Sequence, residues 1–138
     1  KEMIRVAAGE PLSVKQEDIH LQGHAMECRI NAEDPAHHFR PCPGVIEAIH
    51  LPGGNGVRID TAAYNGYEIP PFYDSMIAKV IVHGRTRQEA IDKMRSTLGE
   101  LIIDGVTTNV DFQYEILDNE DFQAGEITTD FIPMHFNL

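Results

Sequence analysis

An α+β fold, with helices packed against an antiparallel sheet, is what this chain of 138 residues predicts. Three observations carry it. The first half is made of short stretches rich in strand formers, separated by Gly and Pro clusters; residues 76–82 form a run that is apolar on both faces apart from Lys79; and the second half changes to three- and four-residue apolar spacing behind a helix-start signal. Strands come first and helices follow.

Each element has its own reason. The chain opens within KEMIRVAAGEP, where Met3, Ile4 and Ala7 or Ala8 fall at helical spacing until Gly9 and Pro11 stop them, so the last turns of a helix are expected, continuing from an upstream part. Strands are expected at residues 24–32, 45–51, 57–63 and 75–83, punctuated by Pro41-Cys42-Pro43-Gly44 and Pro52-Gly53-Gly54. The run at 76–82 reads as a central strand covered on both sides. LPGGNGVR, Leu51 to Arg58, lacks both the GK[ST] ending and the following helix of a phosphate loop, and is expected to be a hairpin turn. Thr86 and Glu89 in TRQE make a capping box, and behind it Ile91, Met94, Leu98, Leu101 and Ile102 form one stripe, with Glu89 and Lys93 paired outside. A second helix is expected from near Thr108 or Asn109, with Val110, Gln113, Tyr114 and Leu117 on one face and a break at DNEDFQAG; TTDFIPMHF then holds one more helical turn before Pro133.

Composition bounds the function. A hydrophobic content of 42% is enough for the core of one ordinary domain, residues 1–138. A net charge of -11 repels phosphate backbones and anionic lipid, so neither nucleic acid nor a membrane is an expected partner. No apolar run approaches the roughly 20 residues of a membrane helix. Cys28 and Cys42 have neither disulfide nor zinc spacing, which fits a reducing, cytoplasmic setting.

One motif invites chemistry. In HAMECRINAEDP, Met26, Cys28, Ile30 and Ala32 point to one face of a strand, while Glu27, Arg29 and Asn31 point to the other. The Arg29 guanidinium is a permanently charged fork of five donors, suited to a planar anion or to a carbonyl that becomes enolate-like, with Glu27 and Asn31 placed to orient it. An ordinary surface pair on a solvated strand face satisfies the same pattern. In YNGYEIPPFYDSMIAK, Pro70-Pro71 stiffens the approach to the central strand, and Asp74 is expected to accept backbone N–H groups at its entrance rather than to react. The seven histidines are scattered along the chain, and His37-His38 diverge, so no metal site is expected. Read this way, the pattern contains no general base, no nucleophile with a partner and no phosphate cradle.

The longer motifs add a resemblance. ECRINAEDP (27–35), PGVI (43–46), PGGNGVR (52–58), YNGYEIPPFYDSMIAKVIVHGRTRQEAI (64–91) and ELIIDGVTTNVDF (100–112) resemble, in order, the C-terminal domain of biotin carboxylase. RINAEDP is most similar to the acetyl-CoA carboxylase members, with the corresponding domain of pyruvate or propionyl-CoA carboxylase, or a purely structural assembly module, as alternatives. The resemblance implies a small antiparallel β structure of barrel-sandwich-hybrid type with flanking helices. It also implies an ATP-dependent carbon–nitrogen ligase of fatty acid biosynthesis, using ATP, Mg²⁺ and bicarbonate to carboxylate biotin held on a biotin carboxyl carrier protein. Carboxyltransferase subunits are the further implied partners. The phosphate loop, the metal-ligating carboxylates and the base for bicarbonate lie in an upstream ATP-grasp part, so the fragment alone is expected to be inactive. By resemblance Arg29 holds the ureido oxygen of biotin during carboxyl transfer. Thr129 matches the position closing over the adenine, where the family also accepts an apolar side chain. Arg58 matches a loop at the family's homodimer interface, where Asn55 replaces an aromatic residue found in some members. Arg40 and Cys42 stand in place of the more usual leucine and serine.

Overall fold

Alternation of small apolar side chains with polar ones makes the strands, and the Gly and Pro clusters between them set where each ends. The computed structural model describes residues 1–137. Helix α1 (Glu2–Ala7) leads through a short 3-10 turn (Gln16–Asp18) to strand β1 (His24–Asn31), followed by the short strands β2 (Glu33–Asp34), β3 (Arg40–Pro41), β4 (Gly44–Val45), β5 (Ala48–His50), β6 (Val57–Thr61) and β7 (Glu68–Ile69). Strand β8 (Met76–Gly84) and helix α2 (Arg87–Glu100) come next, then β9 (Ile102–Asp104) and helices α3 (Val110–Asp118), α4 (Glu120–Ala124) and α5 (Phe131–His135).

The main sheet has the order β1-β8-β6, and three two-stranded pairs, β2–β3, β4–β7 and β5–β9, surround it. Every pairing is antiparallel, and the sheets do not close into a barrel. The α+β expectation and the central place of the 76–82 run both hold. One face of the sheet carries Cys28, Ile30, Ala78, Val80 and Val82, which bury themselves in one cluster with Ala90, Ile91, Met94 and Leu98 of α2. That burial is the main stabilising term, at about 25 cal/mol per Å² of apolar surface. Among the described residues, no helix is long and apolar enough to cross a membrane.

Several local expectations are corrected. Residues 45–51 are not one strand: β4 pairs with β7 and β5 pairs with β9, because the chain changes sheets at Ile46 and Glu47. Gly105, at φ +97°, is required at that crossing, since a side chain there would collide with the Val45 carbonyl. The glycine-rich turn at 53–56 joins β5 to β6, which lie in different sheets, so it is not a hairpin turn. The Thr86 hydroxyl caps α2 by accepting from the Glu89 N–H at 3.2 Å, but Glu89 reaches back to Arg85, whose backbone N–H donates to it at 3.2 Å and whose Nε donates at 3.0 Å. Lys93 correspondingly leaves Glu89 and donates to the His83 carbonyl at 2.7 Å. Helix α2 ends before Leu101, and Ile102 enters β9, half exposed and off the stripe. DNEDFQAG breaks the chain only at Asn119, whose side chain accepts from Asp121 and Phe122 and starts α4. Pro133 lies inside the first turn of α5, where no intrahelical N–H is needed. Helix α1 buries none of its residues.

Met94 is fully buried at the centre of the α2–sheet contact. Met94→Ala is expected to lower unfolding stability by about 2–5 kcal/mol, read from the urea midpoint at unchanged slope.

Candidate active site

The side of the sheet turned away from α2 is polar, and the register decides what meets what. Arg29 lies opposite Lys79, and Lys79 lies opposite Asp60, so the three form a row across β1, β8 and β6. Glu27, Ile81 and Arg58 form the next row. Directly opposed side chains on one face stand about 4.5–5.5 Å apart at Cβ. Arg29 and Asp60 are exposed and Lys79 is half-buried.

Two cations set side by side repel unless something negative joins them, and Asp60 answers only one flank of Lys79. Asp60 is itself engaged by Arg58, whose Nε and second terminal nitrogen donate to its two oxygens at 2.8 and 2.7 Å. That bidentate hydrogen bond holds the Asp60 carboxyl below its usual range, against a smaller desolvation effect, and Lys79 adds to it through its charge. Arg29 therefore stands at the end of the row with no carboxylate directly opposite it.

Of the two supports foreseen for Arg29, Asn31 acts elsewhere. The Asn31 amide nitrogen donates to Glu33 Oε1 at 3.3 Å, and Glu33 Oε1 also accepts from the Ser75 hydroxyl. The register of β1 on β8 shifts between Ile30 and Asn31, because Ile77 is an extra residue there, and the Ile77 carbonyl accepts from the Thr61 hydroxyl at 2.8 Å. Asp74 accepts from the Met76 N–H at 2.8 Å, the entrance role expected of it. Cys28, on the opposite face from Arg29, has its thiol pushed up to about 12 by burial, with the Glu27 charge as a second cause, so it stays protonated and unreactive.

Two clefts flank this strand system. A cleft of about 440 Å³ opens beside the row, lined by Asp60, Lys79, Tyr67, Pro70, Tyr73 and Asp74. A mostly apolar cleft of about 320 Å³ lies under α5, with Met26, Cys28, Leu117, Phe122, Thr128 and Phe131 in its wall. Thr129 sits in the exposed turn before α5, next to Thr128 in the wall of this second cleft. Arg58 is exposed at the far edge of the polar face. Lys79 and Asp60 were not foreseen as neighbours of Arg29; their pairing is a matter of register, and the only sequence signal for it is the lone lysine in an otherwise apolar strand.

Comparison with known proteins places these motifs in context. Residues 27–134 match the family model described as biotin carboxylase C-terminal domain. The chain is 54% identical over 132 residues to biotin carboxylase 1 of Bacillus subtilis (strain 168), covering 96% of this chain and 29% of that protein. It is 55% identical over 132 residues to a pyruvate carboxylase subunit of Methanothermobacter thermautotrophicus, covering 96% of this chain and 27% of that one. Among solved structures, the biotin carboxylase domain dimer of Hydrogenobacter thermophilus 2-oxoglutarate carboxylase, in complex with MgADP, ADP and bicarbonate, superposes with a TM-score of 0.93 at 47% identity, over 96% of this chain and 29% of that chain. The chain thus spans under a third of the length of these relatives.

Because Arg58 depresses Asp60, the pair's stabilisation is fully present above the ordinary carboxylate pKa and is lost as pH falls through the lower folded value. Arg58→Gln is expected to move the Asp60 titration back up toward the ordinary range, followed by the carboxyl carbon resonance in NMR.

Proposed function

The chain belongs to the biotin carboxylase C-terminal domain family, and from that premise we propose that it is the carboxyl-terminal part of an ATP-dependent biotin carboxylase, a carbon–nitrogen ligase that carboxylates biotin borne on a carrier protein. The observation that carries the reading is the row Arg29, Lys79, Asp60, in which the Arg29 guanidinium has a cation and no carboxylate directly opposite it. As a ureido nitrogen of biotin loses its proton and takes the carboxyl group, negative charge moves onto the ureido oxygen. The fork of Arg29 is the donor placed for that oxygen, and Lys79 beside it adds positive potential without needing to touch the substrate. Such a donor is preorganised and so acts without reorganisation when the charge develops.

The rest of the chemistry is assigned to the other part of the enzyme. Among the described residues no three His, Cys, Asp or Glu side chains gather into a group that could hold a metal ion, so no step here is routed through Mg²⁺. ATP and bicarbonate activation are likewise placed outside this chain, with Thr129 contributing at most a contact to the adenine from the rim of the apolar cleft. Arg58 and the adjoining glycine-rich turn are assigned to a homodimer contact of the complete enzyme, and Asp60 already fixes the direction of the Arg58 fork. The physiological pairing proposed is with the carrier protein and carboxyltransferase of an acetyl-CoA carboxylase in the cytoplasm, feeding fatty acid biosynthesis. The pyruvate carboxylase relative favours a second reading, a keto-acid carboxylase, and the carboxyltransferase that discharges the carboxylated carrier distinguishes the two.

Two outcomes test this. In the complete enzyme, Arg29→Ala is expected to lower kcat for biotin carboxylation by about 10²–10³-fold with the KM for ATP little changed. Full carboxylation by that variant, or ATP turnover by the isolated chain at the complete enzyme's rate, would sink the assignment. Thr129→Ile is expected to tighten ATP binding by about fourfold for each methylene it buries, at unchanged kcat, measured by calorimetric titration of the complete enzyme.

A further inference from the structure

We infer that Asn109 is the positioning residue for Arg29: its carboxamide stands in for a missing neighbouring strand and locks the backbone of β1 at the point where the guanidinium is launched. This rests on the reading of Arg29 given above and extends it to a residue 80 positions away.

β1 is an edge strand, paired only with β8, so its outer backbone groups have no strand partner. At residues 29–31 one asparagine supplies what a strand would. Asn109 Oδ1 accepts from the Asn31 N–H at 2.9 Å, Asn109 Nδ2 donates to the Arg29 carbonyl at 3.1 Å, and the Asn109 N–H donates to the Asn31 carbonyl at 3.1 Å. A backbone N–H can only donate and a carbonyl only accept, so an amide side chain, with one oxygen and one NH₂, is the group that answers both at once. Asparagine also has the short reach this needs.

The local sequence would use the residue otherwise. Asn109 occupies the N-cap of α3, where asparagine ordinarily accepts from its own helix, yet here it makes no side-chain cap bond. The Thr108 hydroxyl accepts from the Val110 N–H instead, at 3.4 Å. Asn109 is buried, only 5% exposed, so its amide is not a solvated accident. Its bonds fall at the place where the pairing of β1 with β8 shifts register, between Ile30 and Asn31. The ladder to β8 is interrupted there, and a slip by one residue would turn Arg29 from the polar face to the aliphatic face. The clamp acts through the backbone; nothing assigns Asn109 a contact with substrate.

The test is a double-mutant cycle in the complete enzyme, with amide exchange as a second readout. Asn109→Ala is expected to lower kcat for biotin carboxylation about 10- to 100-fold without raising the KM for ATP, since misplacement of a reacting group by about 1 Å is costly on that scale. In an Arg29→Ala background the same change is expected to cost nothing further, because a positioning residue has nothing left to position. Hydrogen exchange in the peptide covering residues 27–34 is expected to quicken at the Asn31 amide. Asn109→Asp, close in shape but without the donor to the Arg29 carbonyl, is expected to lose carboxylation while keeping the Asn31 amide protected, which guards against a variant that merely unfolds. The inference is overturned if Asn109→Ala carboxylates at the normal rate, or if the two losses add in the double variant. Normal carboxylation by Arg29→Ala alone would instead refute the role of Arg29, a separate failure.

Discussion

Strand β8 is paired on both edges, and most of the molecule follows from that. Val80 and Val82 lie on one face and must be covered, so α2 is drawn onto them. Alternation then puts Lys79 and Ile81 on the other face, and antiparallel register brings Arg29 and Asp60 to the two flanks of Lys79. A slip of β1 by one residue would drive an unpaired guanidinium into the contact with α2, where desolvating an uncompensated charge costs several kcal/mol. The packing that holds the core and the exposure of the candidate catalytic group are therefore one constraint. The register shift at Ile30 and Asn31 lies just beyond the Arg29 row and leaves that pairing intact.

What could be read from the sequence is what is local. Period-two alternation found β1, a continuous apolar run found β8, and Thr86 marked the start of α2 because a cap acts over three positions. Reading failed where distant partners decide. Residues 45–51 have uniform strand propensity, yet they split because β7 and β9 claim different ends of the segment. Glu89 had two cations in reach, Arg85 and Lys93, and the His83 carbonyl drew Lys93 away. The motif around Arg29 was legible as a polar strand face. Its true neighbour, Lys79, lies 50 positions on and becomes a neighbour only through register, which no window of sequence contains.

Charge operates here on two length scales. The chain carries 22 acidic and 11 basic side chains, and that excess sets the long-range field. At physiological ionic strength, however, exposed charges are screened beyond about 8 Å, so the potential at Arg29 is governed by what stands next to it. Next to it stand Lys79 across the strand pair and Glu27 two residues along β1, while the carboxylate of the row, Asp60, is held by the Arg58 fork. An acidic protein can thus reject polyanions at its surface and still set two cations side by side on one strand face. Global net charge and local charge differ in sign without conflict.

β1 is a wall of the apolar cleft, while the larger cleft is lined from β6, β7 and β8 and the segments between them. Met26 and Cys28 line the apolar cleft beneath α5, and Arg29 belongs to the same strand's other face. Helix α5 is held to the body by aromatic rings: Phe136 at its end meets Phe112 edge-on with centroids 5.1 Å apart, and Phe131 lies tilted 6.1 Å from Phe122. Aromatic pairs of this kind favour a limited set of geometries. On the reading proposed for this family member, the segment beside the nucleotide and the arginine beside biotin both adjoin β1. A shift of α5 must be accommodated against Met26 and Cys28, and β1 can yield only as far as its bonds to β8 on one side and to Asn109 on the other allow. A strand fixed on both edges keeps such shifts from reaching the guanidinium, which is what a group that must meet charge at a defined point requires.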